Sequence, residues 1–217
     1  MNRTFDRLVS FDERSRAYPI RAAVTAQTPR SFTWRCDKLL DQGREGACTG
    51  FAVAHDAAGR PAEVRDVTNQ IARDVYHRAR QLDDFDGEDY EGSSVLGAIK
   101  AGKERGWYGE YRWAFGEADL ALAIGHCGPA ILGINWYEGM GNPDATGRVS
   151  VTGRVLGGHA ILCNGYNHKR REYRLHNSWG SSWGRGGECV ISAADMARLL
   201  SEQGEACIPT KRLKGMK

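Results

Sequence analysis

The periodicity of the sequence changes part-way along the chain, and this change limits the possible folds more than any other feature. Helical spacing of apolar residues marks residues 67–82 and 94–105, the latter with Ser93 as its N-cap, and an alanine-rich run over residues 48–58 suits a buried helix. From about Trp113 onward the pattern becomes short β-like runs separated by glycines. Those runs are residues 130–136, 159–164, 172–176 and 188–191. Helices first and strands later predict an α+β protein with a helical lobe and a sheet lobe.

The length of the chain favours one domain or two tightly joined lobes. There are 217 residues, of which 41% are hydrophobic and 26% charged, as in ordinary folded globular proteins. Residues 1–28 have mixed charge and no sustained period, so we expect an N-terminal extension there. Residues 29–217 then form one domain, with a helical lobe at about 36–110 and a β-rich lobe at about 111–210.

Charge and cysteine content exclude several classes of function. The net charge is only +3, and the basic groups at 169–171 and 211–212 are typical of a solvated loop and a frayed tail, so no nucleic acid is expected. Charged residues interrupt the first 16 positions and no apolar run could span a bilayer, which predicts a cytoplasmic protein without a membrane partner. The six cysteines form no CxxC pair, so we expect free thiols and no metal.

Cys48 is the candidate nucleophile because of its surroundings. A cysteine in the first turn of a helix faces unpaired amides and the positive end of the helix dipole, both of which favour the thiolate. Gly43, Gly46 and Gly50 allow a ligand to approach the backbone, and the amide of Gln42 could meet a developing oxyanion. The plainer interpretation, a small apolar residue in a core, is preferred for the other five cysteines.

His159 is the candidate proton-transfer partner. A lone histidine after two glycines at the start of an apolar strand is more often a core or edge residue. The segment over residues 175–184 favours a catalytic histidine instead. Asn177 could accept the imidazole N–H, and Trp179 and Trp183 could shield that bond from water. Neighbours on a strand point to opposite faces, so only one of Asn177 and His176 can face the site.

Three motifs in order resemble those of the papain-like cysteine peptidases. Residues 42–48, QGREGAC, resemble the oxyanion-hole glutamine followed six positions later by the nucleophile. Gly158-His159-Ala160 with Asn164-Gly165-Tyr166 resembles the histidine strand of that family, and residues 177–184 resemble its asparagine block. The resemblance runs from about Pro29 to Pro209.

The resemblance implies a helical lobe packed against a β-sheet or barrel-like lobe, with a cleft between them. It also implies a peptidase in which Cys48 attacks the peptide carbonyl to form a thioester, Gln42 stabilises the oxyanion, His159 transfers the proton and Asn177 orients the imidazole. The implied partners are peptide or protein substrates, with no cofactor, and the chain is treated as a monomer. We expect the thiol and imidazole to be ionised together, with a thiol pKa well below the ordinary value of about 8.5.

Further residues follow from the same resemblance. The implied substrate contacts are Gly46, Gly92, Ser93, Gly158 and Trp179. The chain departs from the family at Glu45, where many secreted relatives have a disulfide cysteine, and at Thr49, where an aromatic residue is usual. The region before Pro29 is also much shorter than the family's inhibitory propeptide, so we expect any latency to arise differently.

Two rival functions and one specificity hypothesis remain open. An acyl transferase or amidase would use the same thioester with a nucleophile other than water, and a catalytically silent homologue would only bind peptides. The acidic run over residues 83–91 is typical of a solvated loop. Should it reach the cleft, substrates with Lys or Arg near the scissile bond would be preferred.

Overall fold

The computed structural model describes residues 4–25, 28–85 and 90–212. Within these ranges the chain forms five α-helices and nine β-strands. The helices are α1 Cys48–Ala58, α2 Asn69–Leu82, α3 Val95–Glu104, α4 Glu117–His126 and α5 Ala193–Ser201. The strands are β1 Arg7–Leu8, β2 Phe32–Thr33, β3 Ser93–Ser94, β4 Tyr108–Trp113, β5 Ala130–Tyr137, β6 Val155–Asn167, β7 Glu172–His176, β8 Glu188–Ser192 and β9 Glu205–Arg212. The predicted α+β class is confirmed, because the chain contains both helices and a large sheet.

One large antiparallel sheet organises the second half of the chain. Its strands follow the order β4-β9-β5-β6-β7-β8, and β2 pairs with the end of β6. The long strand β6 carries His159 opposite Ile134 of β5. Two short strands form a separate parallel pair, in which β1 from the N-terminal segment lies beside β3. The sheet therefore fixes the position of the histidine, while the N-terminal segment pairs with the residues that precede α3.

The three predicted helices of the first half are confirmed, with small shifts at their ends. The side chain of Thr68 accepts a hydrogen bond from the amide of Ile71 and begins α2. Ser94, and not Ser93, caps α3, because its hydroxyl accepts from the amide of Gly97 at 3.0 Å. Ten of the eleven residues of α1 are buried, in keeping with its small apolar side chains.

The four predicted strands are also confirmed, but the second half contains more than strands. β4, β9 and the helices α4 and α5 were not predicted from the sequence. The frayed tail expected at 211–212 is wrong as well, because Arg212 lies on β9 and forms a buried ion pair with Asp56 of α1 at 2.7 Å. Such a pair needs both partners, since either charge alone would be left uncompensated in the interior.

Two apolar clusters lie on the two faces of the sheet. One joins α4 and α5 to the sheet face that contains Trp136, Tyr173 and Ile191. The other joins α1, α2 and α3 to the opposite face through residues such as Ile131 and Leu162. The N-terminus of α1 therefore meets β6 where the helices pack on the sheet. The lobe boundaries at about 36–110 and 111–210 stay a prediction.

No helix of the described residues is both long enough and apolar enough to cross a membrane. All six cysteines are unpaired thiols. Glu45 occupies the position at which many secreted members of the resembled family have a disulfide cysteine. Its Oε2 forms an ion pair with Nε of Arg73 on α2 at 2.9 Å. That side of the helical region is therefore joined to α2 by charge and not by a covalent bond.

Candidate active site

Cys48 is the first residue of α1 and points toward β6. Its N-cap, Ala47, offers no side-chain hydrogen bond, so the first-turn amides keep their electrostatic effect on the sulfur. The backbone amide of Ala160 donates to Cys48 Sγ at 3.4 Å. Since Ala160 follows His159 on β6, this contact fixes the helix end beside the strand that carries the histidine.

His159 and Asn177 form a direct hydrogen bond. His159 Nε2 lies 2.9 Å from Asn177 Oδ1, and that oxygen also accepts from the amide of Ser178 at 2.8 Å. Asn177 follows β7 and its own amide donates to Gly187 O, which holds the residue in place. His176 turns the other way and bonds Lys38 O through Nε2. The two neighbours thus face opposite sides, as strand alternation predicts.

Aromatic rings enclose this hydrogen bond. Trp179 and Trp136 each lie with ring centroids 4.9 Å from His159, and Trp183 packs against both indoles. His159 and Asn177 are 0% and 1% exposed. A hydrogen bond shielded from water in this way holds the imidazole more firmly than an exposed one. Trp136 was not among the predicted site residues; it lies on β5, far from the recognised motifs.

Gln42 is buried and its amide is fixed at both ends. Its Nε2 donates to Glu45 O at 2.9 Å, and its Oε1 accepts from the Ser178 hydroxyl at 2.6 Å. The backbone amide of Gln42 also donates to Ser178 O. Ser178, the neighbour of Asn177, therefore connects the glutamine to the asparagine, a role that sequence reasoning did not assign.

Residues 4–8, here called the N-terminal strap, cover the thiol and the imidazole. The Phe5 ring lies edge-on to His159 at 6.0 Å between centroids and also packs on Trp179 and Trp136. The backbone amide of Asp6 makes a hydrogen bond to Cys48, and the Asp6 carbonyl accepts from the amide of Ser93 at 3.2 Å. Cys48 and His159 have no exposed surface in this arrangement.

The predicted substrate-contact residues surround the strap. Asp6 forms a parallel bridge with Gly158, and the Arg7 carbonyl fills the space that a side chain at Gly158 would need. A Cβ at Gly92 would meet the Asp6 carbonyl, and one at Gly46 would meet the Asp6 carboxylate. These glycines, with Ser93, thus form a groove that admits a peptide backbone. Gly50 differs, since a Cβ there would collide with backbone atoms of α2, so it serves helix packing and not ligand approach.

The strap also changes the chemistry of the thiol. Burial raises the pKa of Cys48 to about 11, an effect that the amides of Ala160 and Asp6 partly offset and the Asp6 carboxylate reinforces. The expectation of a depressed thiol pKa is therefore wrong for this covered form, because the loss of water outweighs the hydrogen bonds from the two amides. Burial, with the nearby charge of Glu91, raises the pKa of Asp6 as well.

The acidic loop lies partly outside the described residues, since 86–89 are not described. At its two ends it adjoins the groove. Asp83 accepts hydrogen bonds from the Ser93 hydroxyl at 2.6 Å and from the Tyr90 hydroxyl at 2.7 Å. The specificity hypothesis for this loop stays a prediction.

Solved structures resemble this chain over nearly its whole length. Xylellain, a cysteine protease from Xylella fastidiosa, aligns with a TM-score of 0.66 and 16% identity, covering 98% of this chain and 96% of the other. Digestive procathepsin L 3 of Tenebrio molitor larval midgut aligns with a TM-score of 0.61 and 18% identity, covering 96% and 76%. The chain has the papain-like fold. A Carica candamarcensis cysteine protease in complex with E-64 agrees, with a TM-score of 0.55, 17% identity and coverage of 86% and 100%.

Comparison of sequences finds less similarity to known proteins than comparison of structures does. No protein-family profile matches the chain. A curated relative, an uncharacterised peptidase C1-like protein of Acanthamoeba polyphaga mimivirus, is 24% identical over 195 residues. The alignment covers 68% of this chain and 62% of the length of that relative.

Proposed function

We propose that this chain is a cysteine peptidase that hydrolyses peptide bonds through a thioester on Cys48. The observation that carries the proposal is the bond between His159 Nε2 and Asn177 Oδ1, made on the strand whose next amide reaches Cys48 Sγ. In this proposal Nδ1, the imidazole nitrogen that is not bonded to Asn177, exchanges the proton. The papain-like fold and the peptidase C1-like relative support the same assignment.

The reaction divides into two balanced steps. In the first, the Cys48 thiol gives its proton to His159 and its sulfur bonds to the substrate carbonyl carbon; the C–N bond then breaks, and the amine leaves with that proton. In the second, water attacks the thioester and gives a proton to His159, the C–S bond breaks to release the carboxylic acid, and the Cys48 thiolate recovers the proton from His159. Gln42 Nε2 and the amide of Cys48 donate to the oxyanion that forms in each step.

The strap must leave the groove before either step. It presents an amide N–H of Asp6 to the sulfur, and its carbonyl faces Ser93 instead. In this arrangement the sulfur meets a hydrogen-bond donor of the strap.

Peptide hydrolysis by matched cysteine variants tests the proposal. Cleavage of a peptide mixture, followed by mass spectrometry, should occur with the parent protein and with Cys36→Ala, whose sulfur lies outside the site, and should be absent with Cys48→Ala. Equal cleavage by Cys48→Ala would refute the assignment.

Two further experiments distinguish the peptidase from the acyl transferase and from the silent homologue. An amine nucleophile that captures all of the acyl product, with none hydrolysed, would indicate an acyl transferase. Stoichiometric labelling of Cys48 by an epoxide inhibitor would count against a silent homologue.

A further inference from the structure

Two buried histidines that the proposed reaction does not use lie in contact with each other near the candidate active site. His55 of α1 and His176 of β7 are 0% and 1% exposed, and their ring centroids lie 4.4 Å apart with the rings at 75°. A polar ring is stable in an interior only where it finds hydrogen-bond partners. Both rings bind the backbone of residues 38–42, here called the oxyanion segment because it ends at Gln42.

His176 faces an acceptor on each side of its ring. Its Nε2 lies 2.8 Å from the carbonyl oxygen of Lys38, and its Nδ1 lies 3.3 Å from Glu188 Oε1. A carbonyl and a carboxylate only accept hydrogen bonds, so both ring nitrogens carry a hydrogen when both contacts are made. The ring is then a cation that forms an ion pair with Glu188 while it donates to Lys38.

Glu188 supplies the negative charge for this ion pair. Burial opposes its ionisation, but hydrogen bonds from His176, Asn164 and Arg174 outweigh burial and lower its pKa to about 2. The Asn164 side-chain amide donates to Oε1 at 3.0 Å, and Arg174 Nη1 lies 2.8 Å from Oε2. Glu188 is therefore a fixed anion that holds the His176 ring from the side of β8.

His55 makes the complementary contact as an acceptor. The amide of Leu40 donates to its Nε2 at 3.3 Å, so that nitrogen carries no hydrogen. Burial, together with the charge of His176, lowers the pKa of His55 well below its ordinary value, and this ring stays neutral. Cys36 also faces the pair, since its thiol donates to the His55 carbonyl at 3.4 Å. One charged ring and one neutral ring thus hold a carbonyl and an amide of the oxyanion segment.

The segment held in this way carries the proposed oxyanion donor. Its second half runs beside residues 178–180. The Leu40 carbonyl accepts from the amide of Gly180 at 3.3 Å, and the amide of Gln42 donates to Ser178 O at 3.0 Å. The two histidines therefore hold the beginning of the segment, while the chain that follows β7 holds its end.

We infer that His55 and His176 are positioning residues that fix the oxyanion segment, so that Gln42 lies where the oxyanion forms. The inference rests on the proposed peptidase function. Each ring acts through the backbone of the segment and not by contact with the reacting atoms. Oxyanion donors work only when they are held in place before the reaction, and a displacement of about 1 Å can cost a hundredfold in rate.

Kinetics of His176 variants in the full-length protein test the inference. His176→Leu removes both N–H groups and should lower kcat roughly ten- to a hundredfold with KM changed by less than about threefold, because the oxyanion forms only during the reaction. His176→Gln keeps a donor that can reach the Lys38 carbonyl and should recover part of kcat. Ile124→Ala, which leaves a cavity in the other apolar cluster, controls for a general loss of stability and should retain kcat. Equal losses of kcat in His176→Leu and Ile124→Ala would overturn the inference.

A double-mutant cycle decides whether the histidines act through Gln42. In the Gln42→Ala background the donor is already absent, so adding His176→Leu should change kcat by less than about threefold. His55→Leu, which removes the acceptor of the Leu40 amide, should show the same pattern. If the losses from Gln42→Ala and His176→Leu multiply, the histidine serves another purpose and the inference fails.

Hydrogen exchange separates this inference from the proposed function, because it needs no turnover. In Cys48→Ala, the amide of Gln42 should exchange at least about tenfold faster, relative to the amides of α5, when His176→Leu is added. His126→Leu, which changes a histidine on α4 that contacts Thr28 O, should leave that relative rate unchanged. Faster exchange with no cleavage by the parent protein would keep the positioning role and refute the peptidase. Cleavage by the parent protein with an unchanged exchange rate would refute the positioning role.

Discussion

The side-chain amide of Gln42 is held by two hydrogen bonds, and it is also the proposed donor to the oxyanion. Its oxygen is held by Ser178 and its nitrogen by Glu45 O, so the second N–H has a fixed direction. Gln42→Ala should lower kcat about a hundredfold or more, the loss expected for one oxyanion donor. Gln42→Glu keeps the size and the Ser178 contact but removes both donors, and it should be at least as impaired. A rise in KM alone, in steady-state kinetics, would instead indicate a substrate-binding role.

Asn177 provides a second test at the residue scale. Its oxygen accepts from both His159 and the Ser178 amide. Asn177→Ala removes the acceptor, and the loss of one buried hydrogen bond predicts a drop in kcat of about tenfold. Asn177→Asp keeps an acceptor and should retain more activity than the alanine variant. If the two variants have equal rates, the hydrogen bond does not orient the imidazole.

At the scale of elements, we expect the strap to control the reactivity of the thiol. Removing the Phe5 ring from His159 and Trp179 should admit water, lower the pKa of Cys48 from about 11, and speed alkylation at pH 7 by roughly ten- to a hundredfold. Iodoacetamide labelling of Phe5→Ala measures this. Phe11→Ala is the matched control, since that ring packs on Trp113 and Phe115 away from the site. Equal acceleration by both variants would exclude a specific effect of the strap.

The elements also show which features the sequence reveals. α1, α2 and α3 have caps or apolar patterns that can be read locally, and the four predicted strands have alternating or continuous apolar runs. α5 was missed although Ser192 and Asp195 form a readable cap, with the hydroxyl accepting from the Asp195 amide. α4 is harder to predict, because its N-cap, Gly116, has no side chain to make a capping hydrogen bond and the helix is apolar on most sides.

The candidate site was predictable only where its residues lie in motifs. Cys48, His159, Asn177 and Gln42 each carry a local signature, and the structure brings them together. Glu205 and Arg7 carry none, since a glutamate near the C-terminus and an arginine near the N-terminus become partners only through tertiary contacts. The sequence predicts only an extension over residues 1–28, because mixed charge without a period does not distinguish the five residues of the strap.

For the molecule as a whole, the absence of covalent cross-links is a measurable property. All six cysteines are separate thiols. Thiol titration of denatured, unreduced protein should therefore count six free groups. A count of four or fewer in freshly prepared protein would reveal a disulfide.

The pH dependence of unfolding provides a second measurement on the whole molecule. Glu205 titrates near pH 7 when folded, against 4.5 ordinarily, so the folded state favours the protonated form. Its contribution to stability is present below pH 4.5 and is lost as the pH rises through 7. Relative to Glu205→Gln, the parent protein should lose up to about 3 kcal/mol of unfolding free energy from pH 4 to pH 8, in urea melts. A relative gain would mean that Arg7 lowers this pKa instead.

Because the strap is part of the same chain, dilution cannot remove it. It competes at a fixed effective concentration, and every molecule entering the groove meets the same opening equilibrium. The apparent Kd of any inhibitor is then its intrinsic Kd divided by the open fraction, so a groove open in about one molecule in a hundred weakens all inhibitors about a hundredfold. One inhibitor measured on the parent protein and on Phe5→Ala therefore gives the ratio of the two open fractions directly. Potencies compared between this chain and strap-free enzymes need that correction before they describe contacts in the groove.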